Sequence, residues 1–299
     1  MKIIENSDIT KNNGVVFFSD NNKESIISIK KSIIQNHFEK SGMILFRNFD
    51  IDNENLTKIT DKFTKQYSND AVRRSKRFDN KNVRNVDQGF GQIDLHSESS
   101  FNPAWPEIVW FYCLVNPQNG GESMICDGLK LWSLLDQKTK DFFQSNPIVY
   151  KLAIPIENKM NKKGKRDWAI NVQGVSNCVL DWDSETLFLD QIRFACHEGR
   201  ESNMCFANHL FVTLQSEPQI LSRTLLNNNK IPSKILDEIH RKSNDIILDL
   251  KLKSGDLLML DNKRFMHGRR AFSNAEKRDI LNIQTLKANF SYGEISRIK

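Results

Sequence analysis

No apolar run in the 299-residue chain approaches the roughly 18 residues needed to cross a bilayer. The opening MKIIENSDITKNN also lacks the apolar stretch of a secretory signal, so a cytoplasmic protein with no membrane contact is the expectation. Five cysteines, Cys113, Cys126, Cys178, Cys196 and Cys205, are odd in number and include no C-x-x-C pair. That excludes a disulfide framework and suits reduced, buried thiols. The chain has no internal repeat and no low-complexity linker. It also has little charge imbalance, with 43 Lys and Arg against 37 Asp and Glu, a net +6. Its densest basic runs, Arg73 to Arg77 and Lys159 to Arg166, are short and read as solvated surface, so nucleic acid is not an implied partner.

What is present is enough apolar sequence, 39%, for a large core, and one domain over residues 1–299 is expected. Lys23 to Lys40 places Ile26, Ile27, Ile29, Ile33, Ile34 and Phe38 at near-helical spacing, and Asn53 to Tyr67 does likewise through Leu56, Ile59 and Phe63. With a short buried strand from Gly42 to Phe46 between them, the part over 1–90 reads as helical. Ile108 to Val115 is a continuous apolar and aromatic run ending at Asn116-Pro117, a core strand bounded by a turn. A helix over about Leu129 to Phe143 and a helical patch over Pro218 to Ile239 suggest a helical insert over about 128–240. Strands return at Asp256 to Leu260 and Ile280 to Leu286. Strands on both sides of a helical insert predict an α+β fold: a jelly-roll core, the double-stranded β-helix, with flanking and inserted helices.

The chemistry-bearing residues are histidines and carboxylates. A facial triad for iron(II) needs two imidazoles and one carboxylate on one side of the metal, written in sequence as H-x-D/E with a remote His. The chain holds H-x-D/E twice. His37-Phe38-Glu39 lies in a predicted helix, where residues two apart point roughly 200° from each other and cannot share a metal. His96-Ser97-Glu98 lies in an extended stretch, where a period of two puts both side chains on one face. Its alternatives are chelation or a hydrogen-bonded pair at a strand end. His267 follows a turn and an apolar strand, where a barrel presents a side chain at its rim. Arg278 opens a strand that places Leu281 and Ile283 on one face and Asn282 and Gln284 on the other. Arg278 is either a surface arginine or one placed to grip a carboxylate through paired hydrogen bonds.

These segments resemble the TauD/TfdA group of 2-oxoglutarate-dependent dioxygenases, including its clavaminate synthase-like branch. The similarity runs through Gly42 to Phe49, Leu95 to Glu98, Asn116 to Ser123 and Leu260 to Arg269. It implies that His96, Glu98 and His267 bind Fe(II) as catalytic ligands. Arg278, eleven residues after His267, would hold the distal carboxylate of 2-oxoglutarate, and Ser123 would support it where the family usually has a threonine. The chemistry implied is oxidation of an unactivated C–H bond of a small-molecule substrate with 2-oxoglutarate and O2, giving succinate and CO2. Hydroxylation is the default, with desaturation or cyclisation open to the same ligands. Glu98 in place of aspartate points to amino acids or natural-product intermediates, and a ligand carboxylate of either kind argues against halogenation. Asn282 stands where taurine-type enzymes carry a second arginine, which argues against a sulfonate held in that way. Trp105, Phe101, Arg74, Gln92 and Asn208 are further pocket candidates. The alternative from another class is a zinc-stabilised, non-catalytic binding protein using Cys196, His197, Cys205 and His209.

Overall fold

A computed structural model describes residues 1–4, 9, 14–20, 24–68, 75–78, 80–86, 89–102, 104–155, 175–181, 183–199, 203–216 and 219–290. Two sheets, antiparallel except where Val15–Phe18 joins Met43–Arg47 in parallel, face each other at its centre. In the larger, Leu257–Asp261 lies between Met43–Arg47 and Ile108–Val115, and Asp279–Ala288 pairs with the far side of Ile108–Val115. In the smaller, the order is Leu248–Leu250, Ser123–Asp127, Phe265–Arg269, Ile93–His96.

The two-residue period of a strand decides which side chains enter which core. Leu258, Leu260, Val109, Cys113 and Ile280 face inward and meet Ile125, Leu250 and Phe265 of the smaller sheet. Their neighbours Leu257, Met259, Ile108, Trp110, Leu281 and Ile283 face outward and are covered by Ile34, Phe38, Leu56 and Ile59 of two helices. Leu257–Asp261 is therefore buried on both faces, which is why it reads as an unbroken apolar run. Those helices, Lys31–Ser41 and Asn53–Asp61, follow local signals. The first ends at Gly42, whose φ of 70° is the left-handed cap that glycine adopts without strain. The second starts where the Asp52 side chain accepts a hydrogen bond from Asn55 N.

The N-terminal part differs from its helical expectation. Lys2–Ile4 and Val15–Phe18 add to the edge of the larger sheet, and Thr64–Tyr67 pairs with Asp279–Ala288. Asn53 to Tyr67 does not stay helical, because Phe63 turns into the core and the following Thr-Lys-Gln-Tyr finds a strand more than 200 residues away.

The insert is the larger correction. Between helices Gly128–Leu134, Gln137–Ser145 and Ser233–Asn244 lies a four-stranded antiparallel sheet in the order Val175–Asp181, Thr186–Arg193, Ile148–Pro155, Ile220–Leu225. Within the patch expected to be helical, Ile220–Leu225 is thus a strand, and the helix begins only at Ser233. Thr186–Arg193 shows the period of two, burying Leu187, Leu189 and Gln191 and leaving Phe188 and Ile192 outward. Partners so distant in sequence override local helical spacing. The basic run at Lys159 to Arg166 and the loop expected at Asn158 to Lys165 lie outside the described residues. No helix among the described residues is long and apolar enough to cross a membrane.

Candidate metal and cosubstrate site

His96, Glu98 and His267 converge. Their ligand atoms lie within 4.8 Å of one another, and all three residues are buried. Glu98 Oε2 is 4.0 Å from His96 Nε2 and 3.7 Å from His267 Nε2. The strand pairing brings the two rings together, since His267 and His96 are direct Cα partners in antiparallel strands and their ring centroids are 4.5 Å apart. Gly268 permits this approach: a Cβ there would lie 2.5 Å from the Ile93 carbonyl oxygen. His37 and Glu39 sit on the helix Lys31–Ser41, where Glu39 accepts from Gln35 and the His37 ring packs edge-on to Phe17.

The extended stretch expected through Glu98 stops earlier. The strand ends at His96, and Glu98 stands in a turn closed by Ser100 N donating to Ser97 O at 3.2 Å. Ser99 there has a φ of 53°, a left-handed conformation uncommon for a non-glycine residue. What orients Glu98 is therefore tertiary. Glu98 N donates to Asn262 Oδ1 at 2.8 Å, and Asn262 Nδ2 donates to the Glu98 and Pro106 carbonyls at 3.0 and 2.9 Å. Ser97 Oγ donates to the Asn262 carbonyl at 2.6 Å, and Trp105 Nε1 donates to Ser97 Oγ at 2.8 Å. Sequence reasoning gave Asn262 no role; its one signal is an asparagine in the turn after a core strand, five residues before His267.

His96 Nδ1 and the Asp94 carbonyl lie 2.9 Å apart, so Nδ1 carries the proton and Nε2 presents its lone pair to the cluster. Burial first, then the neighbouring His267 and His209 rings, hold the His96 imidazole well below the ordinary histidine range, against the pull of Glu98. Only a neutral imidazole can ligate a metal. His267 packs against the Phe111 ring at 4.9 Å, and its Nδ1 is buried without a hydrogen-bond partner. Two imidazoles and one carboxylate, buried and convergent, are the donor set that iron(II) takes.

The triad opens on a cavity of about 300 Å³ whose wall also carries Ser123, Arg269 and Arg278. Arg278 Nε donates to the Gly121 carbonyl at 3.1 Å, and Nη2 lies 3.5 Å from Ser123 Oγ. No carboxylate among the described residues pairs with Arg278. Burial, and secondly the like charge of Arg269, bring its guanidinium down to about 10, against a smaller pull from Cys113. It stays charged at neutral pH, and an anion seated beside it would offset both penalties. Arg269 was not expected here: it is buried, reaches the Gly91 carbonyl at 2.7 Å and lies over Phe272. Residue Arg270 points away and pairs with Asp249 at 2.8 Å.

Of the other pocket candidates, Gln92 lines the cavity. Trp105, Phe101 and Asn208 do not. Phe101 packs on His209, Asn208 donates to the Ala195 carbonyl, and Arg74 lies outside the described residues. Asn282 is buried and donates to the Trp110 carbonyl. The insert supplies Val212 and Ser216 to the wall, and Arg223 fixes that segment by donating to the carbonyls of His209, Leu210 and Val212 at 2.8, 2.8 and 2.6 Å.

The zinc arrangement is not formed. All four of its residues are described, yet the only group of three or more potential ligands that converges among the described residues is the triad. His197 faces Trp105, Cys205 contacts the Lys263 and Arg264 carbonyls, and His209 packs on His96. Cys113, Cys126, Cys196 and Cys205 are free and buried.

Residues 18–284 match the family described as taurine catabolism dioxygenase TauD, TfdA. The chain is 24% identical over 285 residues to the dapdiamide synthesis protein DdaC of Enterobacter agglomerans, covering 86% of this chain and 83% of that one. It is 23% identical over 198 residues to 3-((Z)-2-isocyanoethenyl)-1H-indole synthase of Fischerella ambigua (strain UTEX 1903), covering 66% and 64%. Among solved structures, PvcB of Pseudomonas aeruginosa aligns with a TM-score of 0.60 at 13% identity, over 91% of this chain and 85% of that one. Another structure of PvcB describes it as an Fe, alpha-ketoglutarate dependent oxygenase from an isonitrile synthetic pathway.

Proposed function

The chain belongs to the TauD, TfdA family of dioxygenases, and from that premise we propose which residues carry its chemistry: His96, Glu98 and His267 hold the iron, and Arg278 with Ser123 seats the distal carboxylate of 2-oxoglutarate. The protein is an iron(II)- and 2-oxoglutarate-dependent oxygenase acting on a small metabolite. The observation that carries the residue assignment is the convergence of two imidazoles and one carboxylate at the floor of a cavity whose wall holds Arg278.

When bound, iron with 2-oxoglutarate and dioxygen supplies the oxidising power, yielding succinate and CO2 as a substrate C–H bond is oxidised. The protein's own work is placement. The Asp94 carbonyl fixes the His96 tautomer, Asn262 fixes the backbone from which Glu98 reaches inward, and Phe111 sets the plane of His267. The Arg278 guanidinium and the Ser123 hydroxyl offer donors to a carboxylate at a fixed distance from the triad, so the cosubstrate is oriented before reaction. Val86, Ile93, Phe111, Ile125 and Val212 form the apolar part of the wall and restrict water around the reacting bond.

The finer reading is hydroxylation of a small natural-product or amino-acid-derived intermediate, with desaturation or cyclisation available to the same ligands. It is supported by the cavity's size, at the lower end of the roughly 300–1,000 Å³ usual for small-molecule sites, and by relatives named for dapdiamide synthesis and for making an isocyanoethenyl indole. A single domain working in the cytoplasm completes the proposal. The test is a metabolite screen on iron-loaded protein, scored by succinate release. Substrate-dependent succinate formation that stops in Glu98→Ala is the expected result, and turnover at the wild-type rate in that variant would overturn the ligand assignment.

A further inference from the structure

Asp94 is a second carboxylate in the cavity wall, and neither iron nor cosubstrate has a use for it. It lies two residues before His96 on the same short strand, Ile93–His96, so the strand period turns both side chains to one face, and both line the cavity. Its main-chain oxygen supports His96, and its side chain is free of that task. Among the described residues, the only side-chain hydrogen bond to its carboxylate comes from Gln92 Nε2, at 2.9 Å to Oδ1.

Among the described residues two guanidiniums share the cavity, and neither pairs with Asp94. Arg278 is turned to Gly121 and Ser123, and Arg269 to the Gly91 carbonyl and the Phe272 ring. Arg269 is nonetheless the Cα partner of Ile93, next to Asp94 along the neighbouring strand. Beside these charges the wall carries the apolar side chains Val86, Ile93, Phe111, Ile125 and Val212. The Asp94 carboxylate is half-buried, faces the cavity and retains acceptor capacity beyond the bond from Gln92. It forms no ion pair with the cations among the described residues, and it lies on the same strand as His96, beside the triad where a substrate would be held for oxidation.

We propose that Asp94 receives a protonated amine of the primary substrate, which makes that substrate a small ammonium-bearing molecule with an apolar body. The proposal rests on the reading of this cavity as the substrate site. Asp94 fixes the nitrogen, the apolar residues take the carbon skeleton, and the target C–H bond is presented to the triad from the same strand.

The test uses the full chain with Mn(II) and the non-reacting 2-oxoglutarate analogue N-oxalylglycine. Straight and branched alkylamines of two to six carbons are titrated calorimetrically, each beside the alcohol of the same skeleton. Wild-type protein is expected to bind its best amine roughly tenfold to a hundredfold more tightly than the matching alcohol, as for a hydrogen bond to a charged group. Asp94→Asn, which keeps the shape and the main-chain oxygen, should remove that preference and leave the affinity for N-oxalylglycine unchanged; Asp94→Ser should do the same. The proposal is overturned if no amine exceeds its alcohol in the wild type, or if the preference survives both substitutions. The same titrations run without Mn(II) and N-oxalylglycine separate the two readings. Failure of the analogue to bind counts against the oxygenase site itself, while the amine preference still decides Asp94.

Discussion

The side-chain amide of Asn262 holds the backbone of Glu98 from both sides, accepting from its N–H at 2.8 Å and donating to its carbonyl at 3.0 Å. Asn262 is fully buried, and its second donated bond ties the Pro106 carbonyl to the same point. Asn262→Ala leaves a buried N–H and two buried carbonyls without these partners, at about 1–3 kcal/mol for each group left unsatisfied. It should also lower iron affinity about 10–100-fold, the usual effect of losing a group that orients a ligand. Urea unfolding and anaerobic metal titration read the two effects separately. Unchanged metal affinity in a folded variant would show that the turn positions Glu98 by itself.

His96→Ala and His267→Ala should each abolish stoichiometric iron binding, measured by metal analysis after anaerobic reconstitution. His37→Ala should not, because its neighbour Glu39 faces Gln35 on the helix surface. Glu98→Ala should stay folded by circular dichroism while losing substrate oxidation. Full iron occupancy in both triad histidine variants would place the metal elsewhere.

Arg278→Ala should raise the KM for 2-oxoglutarate with little change in iron affinity. Removing one partner of a buried, hydrogen-bonded charge pair costs roughly 2–5 kcal/mol. At about 1.4 kcal/mol per decade that is a thirtyfold to few-thousandfold effect. Arg278→Lys should recover only part, since an ammonium cannot make paired, planar contacts. Arg270→Ala is the control, because that residue pairs with Asp249 outside the cavity. Arg269 cannot serve as one, since it lines the cavity wall.

Burial holds the His197 imidazole down at about 4, with a smaller push from Lys263. The folded pKa is depressed, so as pH falls through about 6.5 the unfolded chain takes up a proton that the folded protein refuses, and stability declines until about pH 4. Between pH 7 and 5 this one residue should account for about 2 kcal/mol of lost stability. Urea midpoints of metal-free wild type and His197→Asn across that range give the measurement. An equal pH slope in both proteins would remove His197 as the cause.

Much of the core was legible because its strands declare themselves locally. Ile108 to Val115 and Leu257 to Asp261 are apolar on both faces, and the residues around them end in turn signals. The inserted sheet was not. Ile148–Pro155, Thr186–Arg193 and Ile220–Leu225 are each acceptable as other structures, and only their mutual pairing makes them strands.

The site divides in the same way. The amino-acid sequence by itself offered the candidate ligand types, because H-x-E in a non-helical segment with a distant His after a core strand brings two imidazoles and a carboxylate, while the role of the Arg eleven residues later came from the resemblance to the TauD/TfdA group. It also ruled out His37 and Glu39, since helical geometry is local. Tertiary structure alone decided how Glu98 is held, by an asparagine 164 residues away, and that Arg269 and Asp94 share the cavity while Trp105 and Asn208 do not. Ligand chemistry is a property of side-chain type and short spacing. Orientation and cavity membership depend on which distant strands pair and in what register, and no local pattern records that.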